Sequence, residues 1–543
     1  MQIRAVGVVF ASLSLAAVSA CTSPMTQPPD GGHDGGPPLD AFVAPDAFVA
    51  PDAFVVPMDM GTDAAFVCPT GTVDLNMNHA DGCEYACTMT STTDVPDSAS
   101  VDANCDGIDG TVATGIFVSP AGSDTNAGTM AMPFLTISHA LTVATAGHDI
   151  YVDHGTYTES LTLVDGVGIY GGFDRTVTPH GSLPGYWDHG SSLTTLMGGT
   201  TAVDAHDLTM GAVIDRLTIH SADATTAGGA SIGIWAHAST GMLRVTSTTI
   251  VAGNGFHGTA GAPGTNGTAG GNGSGQAPGS SVCGHAGGAG GNPGGGVGAG
   301  GSAGAMATSG GAGGPGGPPT GCNPANSGGP GMVGTAGTAG ANGGAGDGLG
   351  MLTLAGVWTP LDGTIGTDGT DGTGGGGGGG SSGSGLMQPF AGCLSQPGGP
   401  GGGGGGGGCH GTAGRGGTSG GGSFGVLAVN AIVVLTNGEI TAGAGGAGGA
   451  AGSGGNGGSG GAGAPGAPSA FGGNGGTGGP GAAAGRGGHG GGGGGGPSLC
   501  LAHGGTGMIT NTGSVLHMGT GGAGGTSSGT AGTAGVAAPM HEY

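Results

Sequence analysis

The sequence predicts an all-β solenoid whose stacked coils are separated by long glycine-rich insertions, and three observations carry that prediction. A phrase returns: Ser231-Ile232-Gly233-Ile234-Trp235-Ala236 matches Ser423-Phe424-Gly425-Val426-Leu427-Ala428, and Thr249-Ile250-Val251-Ala252-Gly253 matches Glu439-Ile440-Thr441-Ala442-Gly443. Short apolar strands recur at residues 161–163, 167–170, 213–219, 231–236 and 242–250, with Ile219 and Ile250 31 positions apart, within the period range of repeat architectures. Glycine makes up 147 of 543 residues, but only 29 stand before Gly253 and 118 in the 291 residues from there on, so the two halves are different materials. A coil cannot hide its inward Val, Ile and Leu alone, so the two copies of the phrase should stack with Ile250 and Ile440 in one core. The glycine between them is then an insertion at a coil corner. Residues 498–502 and 514–518 echo the phrase and predict a late coil, and 349–354 offer a further fragment.

At the N-terminus Arg4 precedes an apolar run over residues 5–18, which reads as a signal peptide to be set aside before fold reasoning. Its end, Val18-Ser19-Ala20-Cys21, resembles the lipobox of bacterial lipoproteins. That resemblance implies cleavage after residue 20, acylation of Cys21 and, with Thr22 following, sorting to the outer membrane and display on the cell surface. The competing reading is an ordinary secretory signal followed by a cysteine. No other run approaches the ~18 apolar residues of a membrane span. Residues 22–66 carry DAFVAP from Asp40 and Asp46 and DAFVVP from Asp52; proline every six residues forbids helix and predicts an extended tether.

The six basic residues are all arginine, and the formal charge is −26, which argues against nucleic acid as a partner. The charge favours divalent cations or plain solubility. In the Cys/Asp-rich segment 67–114, Asp74, Asn76, Asn78 and Asp81, and again Asp102, Asn104, Asp106 and Asp109, place oxygens at alternate positions, a pattern that can curl around calcium. Neither loop is an EF-hand, because Ala113 stands where the second would need its bidentate glutamate. The second loop resembles the "NCDG-x-D" motif of bacterial surface proteins. The alternative for both is a polar turn pinned by disulfides. Nine cysteines remain after Cys21, so an exported chain should carry disulfides and leave one thiol over.

From Gly115 the text changes. Residues 117–120 read as a strand, Phe134, Ile137, Leu141 and Ala144 recur at helical spacing, and 149–152 form a strand again. Gly122-Ser123-Asp124-Thr125-Asn126-Ala127-Gly128, Pro133-Phe134-Leu135-Thr136-Ile137 with Ala140-Leu141, and Val152-Asp153-His154-Gly155-Thr156-Tyr157 resemble the cap and first coils of a pectate-lyase-like right-handed parallel β-helix over residues 115–253. The resemblance implies that fold and a polysaccharide as the natural partner. It does not imply catalysis here. The lysine of the uronate-binding motif of polygalacturonase-like enzymes is absent from a chain without lysine, and the arginines Arg216, beside Asp215, and Arg244 have no carboxylate cluster in the sequence around them. No G-x-S-x-G elbow occurs. The expected role is a non-catalytic structural or adhesive element, with a carbohydrate-active lyase or hydrolase, or a non-catalytic glycan binder, as the alternatives.

The remaining segments follow from the glycine. Residues 254–422 and 444–497 are insertions, 423–443 a returning coil, and 498–543 a final coil and tail. Within the insertions glycine keeps a strict period of three, at 258 to 273, 328 to 346, 363 to 375 and 443 to 461. Polyproline II has three residues per turn, so such a run sets glycine along one edge and lets neighbouring backbones touch. Collagen would need imino acids at the other positions; a packed bundle of polyglycine-II-like helices fits better, and the tracts resemble those of PGRS-type bacterial proteins. The competing reading is a flexible tract. To staple such loops, Cys283 is expected to pair with Cys322 and Cys393 with Cys409.

Overall fold

The structure is a computed structural model. It describes residues 66–543 except 98, 177–185, 295–301, 303–314, 316, 318–324, 389–391 and 471. Cys21, the signal segment and the tether lie outside the described residues, as does Cys322. Residues 67–543 form one compact unit.

Three sheets dominate that unit. Sheet 1 orders the strands Leu161–Thr162, Thr201–His206, Ser231–His237, Ser423–Val429, Ser498–Gly504 and Ala537–Glu542 side by side. Sheet 2 orders Gly115–Val118, Asp149–Asp153, Gly168–Asp174, Ala212–Asp215, Met242–Thr246, Ile432–Thr436 and Met508–Thr512. Sheet 3 orders Gly155–Tyr157, Thr194–Met197, Leu217–His220, Thr249–Val251, Glu439–Thr441 and Val515–His517. Every pairing along these three orders is parallel, and from Asp149 onward the chain visits sheets 2, 3 and 1 in rotation. The chain is all-β with parallel strands in long sheets, consistent with a β-helix.

Like residues stack on like. In sheet 3 Leu196, Ile219, Ile250, Ile440 and Leu516 stand in register; in sheet 2 Ile116, Ile150, Ile169, Ile214, Val245 and Leu435 do the same; and Val203, Ile234, Val426 and Leu501 face them from sheet 1. These rungs make one continuous core, and burying each such side chain contributes roughly 1.5–3 kcal/mol. The helix Ile137–Val143, capped by the Thr136 hydroxyl accepting from the His139 amide, adds Ile137, Ala140 and Leu141 to that core.

The runs read as single strands over 213–219 and 242–250 each split in two. Arg216 and Ser247 sit at the break with φ of 53° and 47°, and Asn437 and Gly513 occupy the same corner in later coils. A second corner repeats at Asp207, Ala238, Asn430 and Gly505. One left-handed residue at each corner redirects the chain from one sheet to the next, a conformation that Asn and Gly tolerate best. The expected fragment at 349–354 is not a coil. Asp347–Leu352 pairs antiparallel with Trp358–Leu361, and Trp358 lies over Phe424, Leu427, Val429 and Leu499 on the outer side of sheet 1. That cover is why Ser423–Val429 is apolar at almost every position and buried on both faces.

The glycine-rich segments 254–273, 328–346, 363–382, 399–422, 443–467 and 473–496 contain almost no strand or helix, yet their backbones are bonded side by side. Gly258, Gly261, Gly264, Gly267 and Gly270 donate to the carbonyls of Ala447, Ala450, Ser453, Asn456 and Ser459, one bond every third residue at 2.7–2.8 Å. Residues 473–496 bond to six neighbouring segments, including 519–526 and 529–536. Glycine content follows the number of neighbours. The all-glycine runs 374–380, 401–408 and 490–496 are buried at every residue, whereas over 452–461 a buried glycine alternates with an exposed Ser or Asn and a half-buried glycine. None of these glycines has a positive φ; glycine is needed for close approach, since a Cβ on Gly452 would sit on the carbonyl oxygen of Ala262.

The two expected staples are corrected. Cys283 pairs with Cys409, not with Cys322, and Cys409 is therefore not bound to Cys393, whose side chain falls outside the described residues. Lateral packing decides this: Gly279 donates to Gly404 and Gly407 to the His285 carbonyl, so the neighbour of Cys409 is a segment 126 residues earlier in the chain. Among the described residues Cys500 is a buried free thiol.

Candidate functional site

The acidic segment is framed by the disulfides Cys68–Cys83 and Cys87–Cys105. In its first loop the Asn76 side-chain oxygen accepts from the Asn78 amide at 2.7 Å, and Asp81 accepts from both asparagine side chains at 3.2 and 3.0 Å. These three polar side chains satisfy one another at the surface. Asp74 does not join them. Its side chain is 9% exposed, neither carboxylate oxygen has a hydrogen-bond partner, and His79 Nε2 lies 3.7 Å away. Glu84 takes the amides of Leu75 and Asn76 on Oε1 and leaves Oε2 buried without a partner.

The second loop winds around its own carboxylates. Asp102 accepts from the amides of Asp106 and Gly107 and from the Tyr85 hydroxyl at 2.8 Å. Asn104 donates to Asp106 Oδ2, which also takes the Val112 amide, while Asp106 Oδ1 is buried with no partner. Burial pushes the Asp106 carboxyl up to about 6. Asp109 points elsewhere, to the Asp97 amide and to His189 Nδ1 at 2.5 Å. Asp102, Asn104 and Asp106 thus converge and Asp109 does not.

His189 is buried against Phe173, with ring centroids 4.4 Å apart. Arg216 Nη1 stands 3.2 Å from His189 Nε2 and Nη2 donates to the Asp97 carbonyl at 2.7 Å. A guanidinium only donates, so Nε2 accepts and Nδ1–H goes to Asp109, which fixes the neutral tautomer. This chain of bonds locks the acidic segment to the β-sheets and uses up Arg216. Arg244 is exposed on sheet 2, where Val213 separates it from Gly168 and Gly168 from Asp149. Burial raises the Asp149 carboxyl to about 6, and both residues line a cavity of about 230 Å³ with Met210 and Met242.

Three further clusters were not anticipated from the sequence. Asp153, His154 and Asp174 converge, but Ser119 and the Arg175 amide already occupy Asp153, and Thr176 occupies Asp174. Asp371 bridges His285 Nε2 at 2.9 Å and His410 Nδ1 at 2.7 Å; burial opposes its ionisation, and bonds from His410 and His285 outweigh it and hold the carboxyl below the usual range. The nearby Cys283 is oxidised and offers no thiolate. Asp204, His206 and His237 converge on the outer side of sheet 1, where Asp204 Oδ1 lies 3.2 Å from His206 Nδ1 and 3.1 Å from His237 Nε2. A signal for the last cluster existed: Asp204-Ala205-His206 and Trp235-Ala236-His237 stand one coil apart in direct register.

Among the described residues no helix is long and apolar enough to cross a membrane. No curated protein and no solved structure matches the chain. A family described as "Protein of unknown function (DUF1565)", typically of parallel β-helix proteins, matches residues 120–262, the stretch that holds the first coils and the Asp204, His206 and His237 cluster.

Proposed function

We propose that this chain is an exported, lipid-anchored surface protein in which a right-handed parallel β-helix carries a slab of polyglycine-II-like, PGRS-like helices and acts as a structural or adhesive element. The observation that carries the reading is the bonding of the glycine tracts at every third residue, which turns loops into a stiff sheet-like body with rows of short polar side chains outside. Thr259 against Thr418, Thr265 against Thr412 and Thr338 against Thr370 repeat along its rim with hydroxyl oxygens 3.0–3.1 Å apart. Disulfides support an oxidising compartment. Metabolic labelling with a palmitate analogue tests the anchor: label lost in Cys21→Ser and surface protease access lost with it are expected, while label that survives the substitution sinks the anchored reading.

The runner-up, a polysaccharide lyase, is favoured by one feature, the cavity that holds Asp149 and Arg244. Turnover of uronate polymers by the purified chain, abolished in Arg244→Ala, would replace the adhesive reading; no turnover is expected.

Calcium is proposed for the acidic segment because four buried carboxylate oxygens, Asp74 Oδ1 and Oδ2, Glu84 Oε2 and Asp106 Oδ1, have no hydrogen-bond partner. Leaving a buried charge uncompensated is costly, and a divalent cation is the ligand that carboxylate oxygens suit. At calcium a hundredfold above its Kd the stabilisation would be about 2.7 kcal/mol, and an equal rise in Tm in wild type and in Asp74→Asn would count against the site. The pH dependence has a sign. The Asp106 carboxyl titrates higher in the fold than in the unfolded chain, so its contribution is full below the ordinary value of 3.8 and is lost as pH rises through about 6. Asp106→Asn should therefore lose less stability than wild type between pH 4.5 and 7 in chelator, and calcium should shrink the difference.

A further inference from the structure

We infer that Asp204, His206 and His237 form a binding site for a divalent transition metal of the zinc class on the outer side of sheet 1. Two imidazoles and one carboxylate are a donor set suited to such ions rather than to calcium or magnesium, which take oxygen alone. The spacing fits. Ligand atoms held at about 2.0–2.2 Å from zinc lie about 3.3 Å from one another along a tetrahedral edge, and Asp204 Oδ1 stands 3.2 Å from His206 Nδ1 and 3.1 Å from His237 Nε2. All three atoms lie within 4.8 Å of one another.

An unsatisfied atom points the same way. His206 Nδ1 is shielded from solvent and makes no hydrogen bond, although it stands close to the Asp204 carboxylate. A metal at this point would accept the lone pair of that nitrogen. His285 Nδ1 is likewise buried without a partner, but its cluster has lost Cys283 to a disulfide and both oxygens of Asp371 to histidines, and Asp153 and Asp174 are engaged by hydroxyls and backbone amides; Asp204 Oδ1 is hydrogen-bonded to His237 Nε2 alone, at 3.1 Å.

The ligands are also oriented from outside. His206 and His237 stack with centroids 5.4 Å apart, because parallel register sets them one above the other. Trp235 stacks on the other neighbour, His237, at 4.0 Å, and its indole N–H is bonded to the Gly356 carbonyl at 3.0 Å. The hairpin that leaves the glycine-rich region therefore holds a ring that holds a ligand, as outer residues do around metal sites. His206, 37% exposed, and Asp204, 30% exposed, leave the remaining coordination positions open to water or to an external donor.

The test uses the full chain, stripped with chelator and titrated at pH 7.5 with zinc by calorimetry and with cobalt by visible absorption. One equivalent is expected to bind more tightly than the rest, with a cobalt spectrum of mixed nitrogen and oxygen ligation. His206→Ala, at the exposed edge of the site, should weaken that equivalent by at least about tenfold, His237→Ala should do the same, and His154→Ala should not change it. A second readout is independent of affinity. Copper should quench the Trp235 component of fluorescence in wild type and lose that quenching in His206→Ala, with Trp235→Phe identifying the component. Equal zinc stoichiometry and affinity in wild type and His206→Ala, or quenching that persists in that variant, would overturn the site.

Discussion

Gly452→Val is expected to lower the Tm of the chain by about 3 °C or more, while Ser453→Val, one residue along, changes it by less than about 1 °C. The two positions share a tract and differ in what they face. Gly452 is buried, donates its amide to Arg415, accepts from Gly490, and would drive a Cβ into the Ala262 carbonyl oxygen. Ser453 is exposed and faces solvent. Overpacking costs typically about 1–3 kcal/mol and each of the two amides left without a partner about another 1–3, so about 3 kcal/mol is a floor, and each kcal/mol shifts Tm by roughly 1 °C in a cooperative unit as long as residues 67–543. Slow deuterium exchange across 446–461 in wild type, lost around the mutated position, is the matching local measurement. Random-coil exchange in wild type, or equal effects of the two substitutions, would show the tracts to be loose chain and remove the slab from the proposed function.

The parts of the fold that repeat were legible in the sequence. The returning phrase placed Ile250 beside Ile440, and they are register partners; the period of three set glycine along one edge of each tract, where the lateral bonds of Gly258, Gly261, Gly264, Gly267 and Gly270 lie. What was hidden depends on neighbours that sequence order does not reveal. The strands Thr194–Met197 and Thr201–His206 were missed because Thr, Asp and His alternate with only a few apolar residues, and the corners at Arg216 and Ser247 were missed because neither is Gly or Asn. The candidate site was hidden for the same reason. Asp204 and His206 are unremarkable in a polar run until parallel register sets His237 over His206. The acidic loops were visible as a pattern, but alternate oxygens did not distinguish Asp102, which binds its own backbone, from Asp74, which binds none.

Removing the Cys283–Cys409 bridge by the double change Cys283→Ser and Cys409→Ser should cost more stability than removing Cys68–Cys83. In the chain-entropy account a cross-link stabilises by shortening the unfolded chain, about 3 kcal/mol for a 15-residue loop and about 4.7 for one of 100 residues. The two bridges span 15 and 126 residues. The longer one also ties 279–294 to 399–422, a tract bonded on several other sides, so losing it frees a segment that has little apolar surface to hold it. Glycine loses the most conformational freedom on ordering, which makes cross-linking most effective in this half of the chain. Non-reducing peptide mapping settles the connectivity first, with Cys500 blocked under denaturing conditions to stop exchange. A peptide joining Cys283 to Cys409 is expected. Peptides joining Cys283 to Cys322 or Cys393 to Cys409 would mean that the segments 279–294 and 399–422 are not neighbours, and the lateral order of the glycine tracts would then have to be redrawn.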